Sequence, residues 1–395
     1  MTMITGVRVL TESGLSEPRD VTVEGAAIGA IAPASTDAAN RTDADTVDGH
    51  GKVLLPGLID THIHLSGLSE LEAMAAAGVT TAFDLGTHPA SLVDELRGLP
   101  ALTDLRSAGS AASAPGSGQS TVMGFPADSV VTSPEDAARY LSVRVAEGAD
   151  LIKIIVEDPA KVPAALPVES ISALVTGAHE LGLLTVAHAT TADAFRRAVT
   201  AGVDVITHTP LDRLLDPDVV ALMLQQGTMV SPTLVMMRGV TANAGGDPSK
   251  ALGADRHDGT AAAAEDSIPA AGQPAPDPQF TVACDVVGQL HDAGVPIIAG
   301  TDANPFVGMP FHVAHGTALH EELALLVSAG LSCTEALQAA TNKAATALRL
   351  TDRGTVSPGL RADLLLVKGD PTTDITATRQ VEAVWIAGKR AKMTR

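Results

Sequence analysis

Two histidines at the end of an apolar segment are the residues of this sequence best suited to chemistry. The segment PGLIDTHIH, residues 56–64, ends with His62 and His64 spaced two apart. Because side chains alternate along a strand, both imidazoles would point to the same side. Two converging imidazoles can grip a divalent transition metal. An isolated pair of this kind fits core or surface histidines equally well, so the metal hypothesis depends on further ligands elsewhere in the chain.

Four other polar residues stand inside or at the ends of apolar segments, namely Lys153, His188, His208 and Asp302. Taken singly, His188 and His208 fit hydrogen-bonded core histidines, and Asp302 fits a helix N-cap. Lys153 lies inside LIKIIV, where a charged ammonium is costly unless it is paired or neutralised. Burial would lower its pKa and free the neutral amine for chemistry, whereas a salt bridge is the structural alternative.

The segments that must position these residues alternate between apolar strands and amphipathic helices. Strands are predicted at residues 54–64, 79–84, 105–112, 148–156, 183–188, 203–208, 229–235 and 295–302. Helices are predicted at residues 134–147, 169–181, 191–200 and 216–226. This alternation predicts right-handed βαβ crossovers and a parallel sheet, and eight such strands close most naturally as a (β/α)8 TIM barrel. The predicted fold class is therefore α/β, with the barrel over residues 56–351.

Both ends of the chain differ from this central part. Short strands separated by polar turns are predicted at residues 4–10, 20–23, 28–31, 362–367 and 381–386. The simplest account is a small β-sandwich domain built from residues 1–55 and 352–395 and packed beside the barrel. Residues 241–278 are rich in Ala, Gly, Asp and Pro, which predicts either a lid over the site or a disordered surface insertion.

Composition narrows the classes of function. Of the 395 residues, 45% are hydrophobic, which supports a substantial core. The formal net charge of −20 argues against nucleic acid or an anionic membrane as a partner. We find neither a membrane-spanning stretch nor a secretory signal in residues 1–12, and therefore expect a cytoplasmic protein. Cys284 and Cys333 form no C-x-x-C pair, which argues against a disulfide scaffold or a cysteine zinc site.

Barrel enzymes carry their chemistry at the carboxyl ends of the strands. Here the ends of predicted strands one, four, five, six and eight carry, in that order, His62 with His64, Lys153, His188, His208 and Asp302. One such residue would be unremarkable, but ligand-capable residues in the right phase on five strand ends are hard to explain as core packing.

This pattern resembles the metal-ligand pattern of the amidohydrolase superfamily, and the resemblance covers essentially the whole chain. It includes PGLIDTHIH and the GTD at residues 300–302, while PGLRADLLLV at residues 358–367 resembles that superfamily's closing β-sandwich strand. The lysine on strand four is similar to that of the binuclear branch related to imidazolonepropionase-like and prolidase-like enzymes. The resemblance implies one metal on His62, His64 and Asp302, a second on His188 and His208, and between them a Lys153 carboxylated by carbon dioxide.

A site of this kind implies a metal-dependent hydrolase with two divalent metal ions. Two cations bind one water and lower its pKa, so that a metal-bridged hydroxide is available near neutral pH. In such a site one metal would polarise the scissile carbonyl, and Asp302 would accept the proton of the water and pass it to the leaving nitrogen. Zinc is the expected metal, although the same ligands accept manganese, cobalt or iron.

The expected reaction is hydrolysis of an amide, cyclic amide or carbamate-like C–N bond of a small molecule, dipeptides included. We expect the enzyme to be a homo-oligomer. The Arg that follows H-x-H in dihydroorotase-like relatives is missing. The sole tyrosine, Tyr140, lies in a predicted helix, so we expect no counterpart of the oxyanion-assisting tyrosine of hydantoinase-like relatives. Candidate substrate contacts are loop residues that follow strands: His88, Gln119, Thr233, Asn304 and His312, with His257 in the insertion a weaker candidate.

Three alternatives compete with this reaction. A lactone or phosphate-ester hydrolase would use the same hydroxide. A mononuclear deaminase of the same superfamily typically lacks the lysine of strand four and carries an HAGE-like segment, whereas this chain has AHAT at residues 187–190. A non-catalytic scaffold is the least compatible alternative, because every ligand position of the pattern is filled.

Overall fold

A computed structural model gives the structure of residues 1–35, 45–122, 124–244, 277–305 and 312–393. The strands in these residues are β1 (Thr2–Thr11), β2 (Gly14–Leu15), β3 (Arg19–Glu24), β4 (Ala27–Pro33), β5 (Thr46–Asp48), β6 (Lys52–Pro56), β7 (Leu58–Ile63), β8 (Val79–Asp84), β9 (Asp104–Ser107), β10 (Leu151–Ile155), β11 (Leu184–His188), β12 (Val205–Thr207), β13 (Met229–Ser231), β14 (Leu364–Lys368), β15 (Val381–Ile386) and β16 (Lys389–Arg390). They alternate with helices over the middle of the chain, which gives a mixed α/β fold.

The α-helices of the described residues are α1 (Leu68–Ala76), α2 (Ala90–Leu96), α3 (Gly118–Val122), α4 (Asp136–Ala146), α5 (Val168–Glu180), α6 (Ala192–Thr200), α7 (Pro217–Gln226), α8 (Leu234–Ala244), α9 (Pro278–Ala293), α10 (Thr317–Ser328), α11 (Cys333–Ala339) and α12 (Asn342–Ala347). Two short 3-10 helices cover Ala127–Ser129 and Ile375–Arg379. The four helices predicted from the sequence correspond to α4, α5, α6 and α7, with ends shifted by no more than two residues.

Strands from both ends of the chain pair in one sheet with the order β16-β15-β14-β6-β1-β3-β4, and β2 and β5 pair with β1. The link between the two ends is the antiparallel pair β6–β14, in which Leu54 lies opposite Leu366. Both side chains are fully buried in one apolar cluster with Trp385. This shared cluster explains why short strands so far apart in the sequence are stable together, because neither end could bury its apolar face alone.

The single strand predicted over residues 54–64 is wrong, because the structure divides it into β6 and β7 at Gly57. At this point the chain leaves the terminal sheet and enters a parallel sheet. A Cβ atom on Gly57 would lie 2.2 Å from Thr80 Oγ1, so the crossing requires a residue without a side chain. The glycine therefore sets the point from which β7 carries His62 towards the site.

Two parallel sheets carry the candidate site, one with the order β7-β8-β9 and one with the order β10-β11-β12-β13. An isolated parallel bridge between Ala112 and Ile154 joins the chain that follows β9 to β10. Further bridges pair Val230 with Ile297 and Ile63 with Ala303. The segment around residues 297–303 thus lies between β13 and β7.

The strands predicted over residues 295–302 and 229–235 are wrong in their extent. The first makes isolated bridges in place of a regular strand, since Pro296 has no N–H to donate and Asp302 has a φ of 59°. The second ends at Ser231, because Thr233 has a φ of 50° and α8 begins at Leu234. The two residues with positive φ, Asp302 and Thr233, both lie at the candidate site.

The predicted lid or insertion at residues 241–278 falls mainly on residues 245–276, which lie outside the described residues. Its first residue, Thr241, belongs to α8, and Pro278 begins α9. Among the helices of the described ranges, none combines the length and apolar character needed to cross a membrane.

Candidate metal centre

The six residues predicted as metal ligands lie at the carboxyl ends of neighbouring parallel strands. His62 lies in β7 and Lys153 in β10, while His188 is the last residue of β11. His64 and His208 come directly after β7 and β12, and Asp302 lies in the segment around residues 297–303, between β13 and β7. Because these strands run in the same direction, their carboxyl ends meet at one edge, and the side chains converge there.

Asp302 lies closest to the histidine pair of β7. Its Oδ1 atom is 3.2 Å from His62 Nε2 and 3.1 Å from His64 Nε2. The expectation that the two imidazoles of H-x-H face the same side therefore agrees with the observed geometry. The ligand-capable atoms of His62, His208 and Asp302 lie within 4.8 Å of one another.

The remaining predicted ligands border this group. The ring centroids of His188 and His208 are 4.5 Å apart, and those of His62 and His208 are 5.1 Å apart. Lys153 Nζ donates a hydrogen bond of 2.8 Å to Thr207 Oγ1, beside His208. The structure therefore brings all six residues into one group, in which His188 and Asp302 are partly buried and the other four are buried.

Burial sets the charge state of these groups. Desolvation, reinforced by the nearby Lys153, lowers the pKa of His188 to about 3 and holds the pKa of His62 well below its usual range. Burial also lowers the pKa of His208, with the neighbouring His188 adding to the effect. These imidazoles are therefore neutral at pH 7, which is the form that binds metal. Desolvation lowers the pKa of Lys153 to about 7, although the Asp302 carboxylate opposes the shift.

The arrangement fits a transition metal for two structural reasons. His208 Nδ1 is 2.8 Å from Thr233 Oγ1, so the hydroxyl can hold the tautomer that leaves Nε2 available as a ligand. His62 and His64 present their Nε2 atoms to one carboxylate oxygen, Asp302 Oδ1, at 3.2 and 3.1 Å, so that two imidazole donors and one carboxylate donor converge. Imidazole and carboxylate donors suit zinc and also accept manganese, cobalt or iron.

Asp60 supports the centre and was not singled out from the sequence. Its fully buried carboxylate accepts hydrogen bonds from Thr301 N at 3.0 Å, from Thr301 Oγ1 at 2.7 Å and from His62 N at 3.2 Å. These bonds tie β7 to the segment that carries Asp302. Burial raises the pKa of Asp60 to about 7. The sequence signal was an ionisable side chain inside an apolar strand, which is the same kind of signal that singled out Lys153.

Two other buried polar residues fix the backbone at the site. His315 Nε2 lies 2.7 Å from the carbonyl oxygen of His64. The carboxylate of Glu322, on α10, accepts hydrogen bonds from the backbone N–H groups of Leu234 at 2.9 Å and Val235 at 2.8 Å. The bonds to Glu322 hold the first two residues of α8. That helix begins directly after Thr233, whose hydroxyl is hydrogen-bonded to His208. Neither residue stands in a motif, because each acts on a chain segment distant in the sequence.

The five predicted substrate contacts are placed differently from one another. Thr233 and Asn304 are buried, and Asn304 Nδ2 donates a hydrogen bond of 3.0 Å to the carbonyl oxygen of Asp302. The His88 ring packs edge-on against Phe125, with ring centroids 5.6 Å apart. His312 is exposed. The side chain of Gln119 and the whole of His257 lie outside the described residues, and all these contacts stay predictions.

Thr233 provides the first test of the site. We expect Thr233→Val to weaken metal binding by about 10–100-fold, because loss of the hydroxyl releases the orientation of His208. Titration with cobalt(II) against a competing chelator measures the affinity. Thr228→Val is the matched control, since it removes a buried hydroxyl that donates to the carbonyl of Val203 at 3.3 Å. If Thr233→Val keeps the affinity of the control, the hydroxyl does not orient His208.

The chain is similar to several known proteins in sequence and in fold. The model of the amidohydrolase family matches residues 53–391. The imidazolonepropionase of Deinococcus radiodurans is 40% identical over 103 residues, which are 25% of this chain and 25% of that enzyme. The chain therefore matches only about a quarter of the length of that relative.

Two further proteins match nearly end to end, one in sequence and one in fold. An uncharacterised protein of Mycobacterium tuberculosis is 28% identical over 358 residues, which cover 88% of this chain and 87% of the relative. The crystal structure of a Xaa-Pro dipeptidase with bound methionine in the active site has a TM-score of 0.79 at 23% identity. That likeness covers 98% of this chain and 99% of the dipeptidase chain, and it shows that the two proteins share a fold.

Proposed function

The chain belongs to the amidohydrolase family, and we propose that it is a metal-dependent hydrolase of C–N bonds in small molecules. The observation that carries the proposal is the convergence of ligand atoms of His62, His208 and Asp302 within 4.8 Å, with both histidines buried and Asp302 partly buried. The family match confirms the resemblance predicted from the sequence. The similarity to an imidazolonepropionase and to a Xaa-Pro dipeptidase supports an amide or cyclic amide bond as the target, and a carbamate-like bond is included in the proposal.

We propose a binuclear centre with the ligand sets that the resemblance implies. His62, His64 and Asp302 would hold one ion, His188 and His208 the other, and a carboxylated Lys153 would lie between them. Carboxylation joins the neutral amine nitrogen to the carbon of carbon dioxide and releases one proton, which leaves a carboxylate with two ligand oxygens. Two observations support this assignment. Lys153 is buried, and its Nζ donates a hydrogen bond to Thr207, the residue before His208.

The chain's own residues would then perform the proton transfers. When bound, the metal ions supply a water of lowered pKa and an electrophile for the scissile carbonyl. Asp302 would accept a proton from that water and deliver it to the leaving nitrogen. Its position supports this role, because its side chain is 13% exposed while its Oδ1 faces His62 and His64. Asp60 and Asn304 hold the backbone on either side of it.

The proposal includes the architecture around the site. We propose that the two parallel sheets are arcs of one (β/α)8 barrel over residues 56–351, closed by the segment around residues 297–303. The bridges Ala112–Ile154, Val230–Ile297 and Ile63–Ala303 support the closure. The terminal sheet would form a β-sandwich domain from residues 1–55 and 352–395, supported by its own apolar cluster.

A substrate panel tests the function. Protein stripped of metal and reloaded separately with zinc, manganese or cobalt would be assayed on N-acyl amino acids, dipeptides, cyclic amides, carbamates, purine amines and lactones. We expect metal-dependent hydrolysis of at least one amide, cyclic amide or carbamate class, lost on chelation and restored on reloading. Turnover of lactones alone would instead support the ester-hydrolase alternative, and release of ammonia from purine amines alone would support a deaminase.

A further inference from the structure

Glu157 lies two residues beyond the carboxyl end of β10 and four residues after Lys153. Ile152, Ile154 and Val156 pack in the large apolar cluster on the helix side of the sheet. Because side chains alternate along an extended chain, Lys153, Ile155 and Glu157 face the opposite side, where the histidines converge. The direction of the backbone therefore sends the carboxylate of Glu157 towards the metal centre.

Backbone pairing places Glu157 next to His188. Ile155 lies opposite His188 in the parallel pair β10–β11. The pairing continues beyond the end of β10, because Val156 N donates a hydrogen bond of 3.0 Å to the carbonyl oxygen of His188. The Glu157 residue is 6% exposed, and its Oε1 atom is 3.6 Å from His188 Nε2.

The separation between these two atoms fits a shared metal better than a direct contact. It is longer than the roughly 2.7–3.2 Å of an ordinary N–H···O hydrogen bond. A nitrogen and an oxygen that each lie about 2.0–2.2 Å from one zinc ion, at an angle between tetrahedral and trigonal, are about 3.4–3.6 Å apart.

We propose that Glu157 is a further ligand of the metal ion held by His188 and His208, an assignment that rests on the proposed function. Without it, the second ion has two histidines and a share of the carboxylated Lys153. With it, each ion has its own protein carboxylate, Asp302 for one and Glu157 for the other. The added anionic oxygen offsets the charge of the second dication and favours metals that accept carboxylate ligands, manganese and iron included.

Cobalt(II) binding by three proteins tests the proposal: the wild type, Glu157→Gln and Asp158→Asn. The glutamine keeps the shape of the side chain but removes the anionic ligand. Asp158 is a matched control, because it is the next residue and is equally buried, at 6% exposure, but its Oδ1 accepts a hydrogen bond of 2.9 Å from Ala160 N within its own loop. Each protein would be titrated with cobalt(II) against a competing chelator, with its visible absorption recorded and its folding checked by circular dichroism.

We expect Glu157→Gln to bind one cobalt ion as the wild type does and the other at least about ten-fold more weakly, with altered visible absorption bands. Asp158→Asn should match the wild type, and Glu157→Asp, which keeps a carboxylate, should recover part of the lost affinity. Two ions bound by Glu157→Gln with wild-type affinity and spectrum would overturn the assignment of Glu157 and leave the proposed function intact. A wild type that binds no cobalt would overturn both.

A variant that keeps both ions but loses turnover only of positively charged substrates would also overturn the proposal. In that case Glu157 would recognise the substrate and would not bind the metal. The substrate panel run on Glu157→Gln with saturating cobalt(II) separates these two roles.

Discussion

Lys153→Ala is expected to lower kcat/KM by at least about 10³-fold and to reduce the metal content of the purified protein. The reason is that the substitution removes the residue proposed to lie between the two ions. Metal ions contribute several kcal/mol to transition-state stabilisation, and each 1.36 kcal/mol corresponds to about ten-fold in rate. Activity assays and elemental analysis of the same preparation measure both effects.

Two further measurements give the Lys153 prediction its controls. Lys161→Ala removes a lysine that is 51% exposed and pairs with Asp212 at 3.1 Å, and it should leave activity and metal content unchanged. Short carboxylic acids such as formate and acetate should restore part of the activity of Lys153→Ala, because a small carboxylate can occupy the space of the missing group. Unchanged metal content in Lys153→Ala would show that the lysine is a structural cation and not part of the centre.

Asp302→Asn is expected to lower kcat by about 10²–10⁴-fold, even at saturating metal concentration. The amide keeps the size of the side chain and its place beside His62 and His64, but it cannot accept a proton from water. KM should change much less than kcat, because the role proposed for Asp302 is exercised in the transition state. Steady-state kinetics across metal concentrations separate the loss of proton transfer from the loss of metal.

Asp285→Asn is the control for Asp302, since Asp285 is an exposed carboxylate on α9. It should behave as the wild type in both assays. If excess metal restores Asp302→Asn to within ten-fold of the wild-type rate, Asp302 acts as a ligand only, and another group must transfer the proton.

The sequence was most informative where chemistry and periodicity coincide. A lysine inside LIKIIV and histidines at the ends of apolar runs can be recognised because a buried strand tolerates few polar residues. The alternation rule then predicted that His62 and His64 face one side, and their shared contact with Asp302 Oδ1 agrees with it. Parallel strands bring such residues together without further information, since their carboxyl ends meet at one edge.

The supporting contacts could not be predicted in the same way. Asp60 bonds to Thr301, 241 residues later, and Glu322 bonds to Leu234, 88 residues earlier. Such pairs depend on how distant segments pack, which no local pattern encodes. Loop positions such as His312 are equally difficult, because a loop has no period that would fix the direction of its side chains. Two strand ends were predicted wrongly. At Gly57 the close approach of Thr80, and at Thr233 a positive φ, end the strand although the apolar pattern continues.

The most direct test of the proposed centre is the number of metal ions per chain in protein purified without chelators. Inductively coupled plasma mass spectrometry on a sample of known protein concentration would measure it. The six converging residues predict a value close to two divalent ions per chain, which falls in Lys153→Ala. Fewer than one ion per chain, in protein that is folded and has been offered zinc, manganese and cobalt, would contradict the binuclear centre.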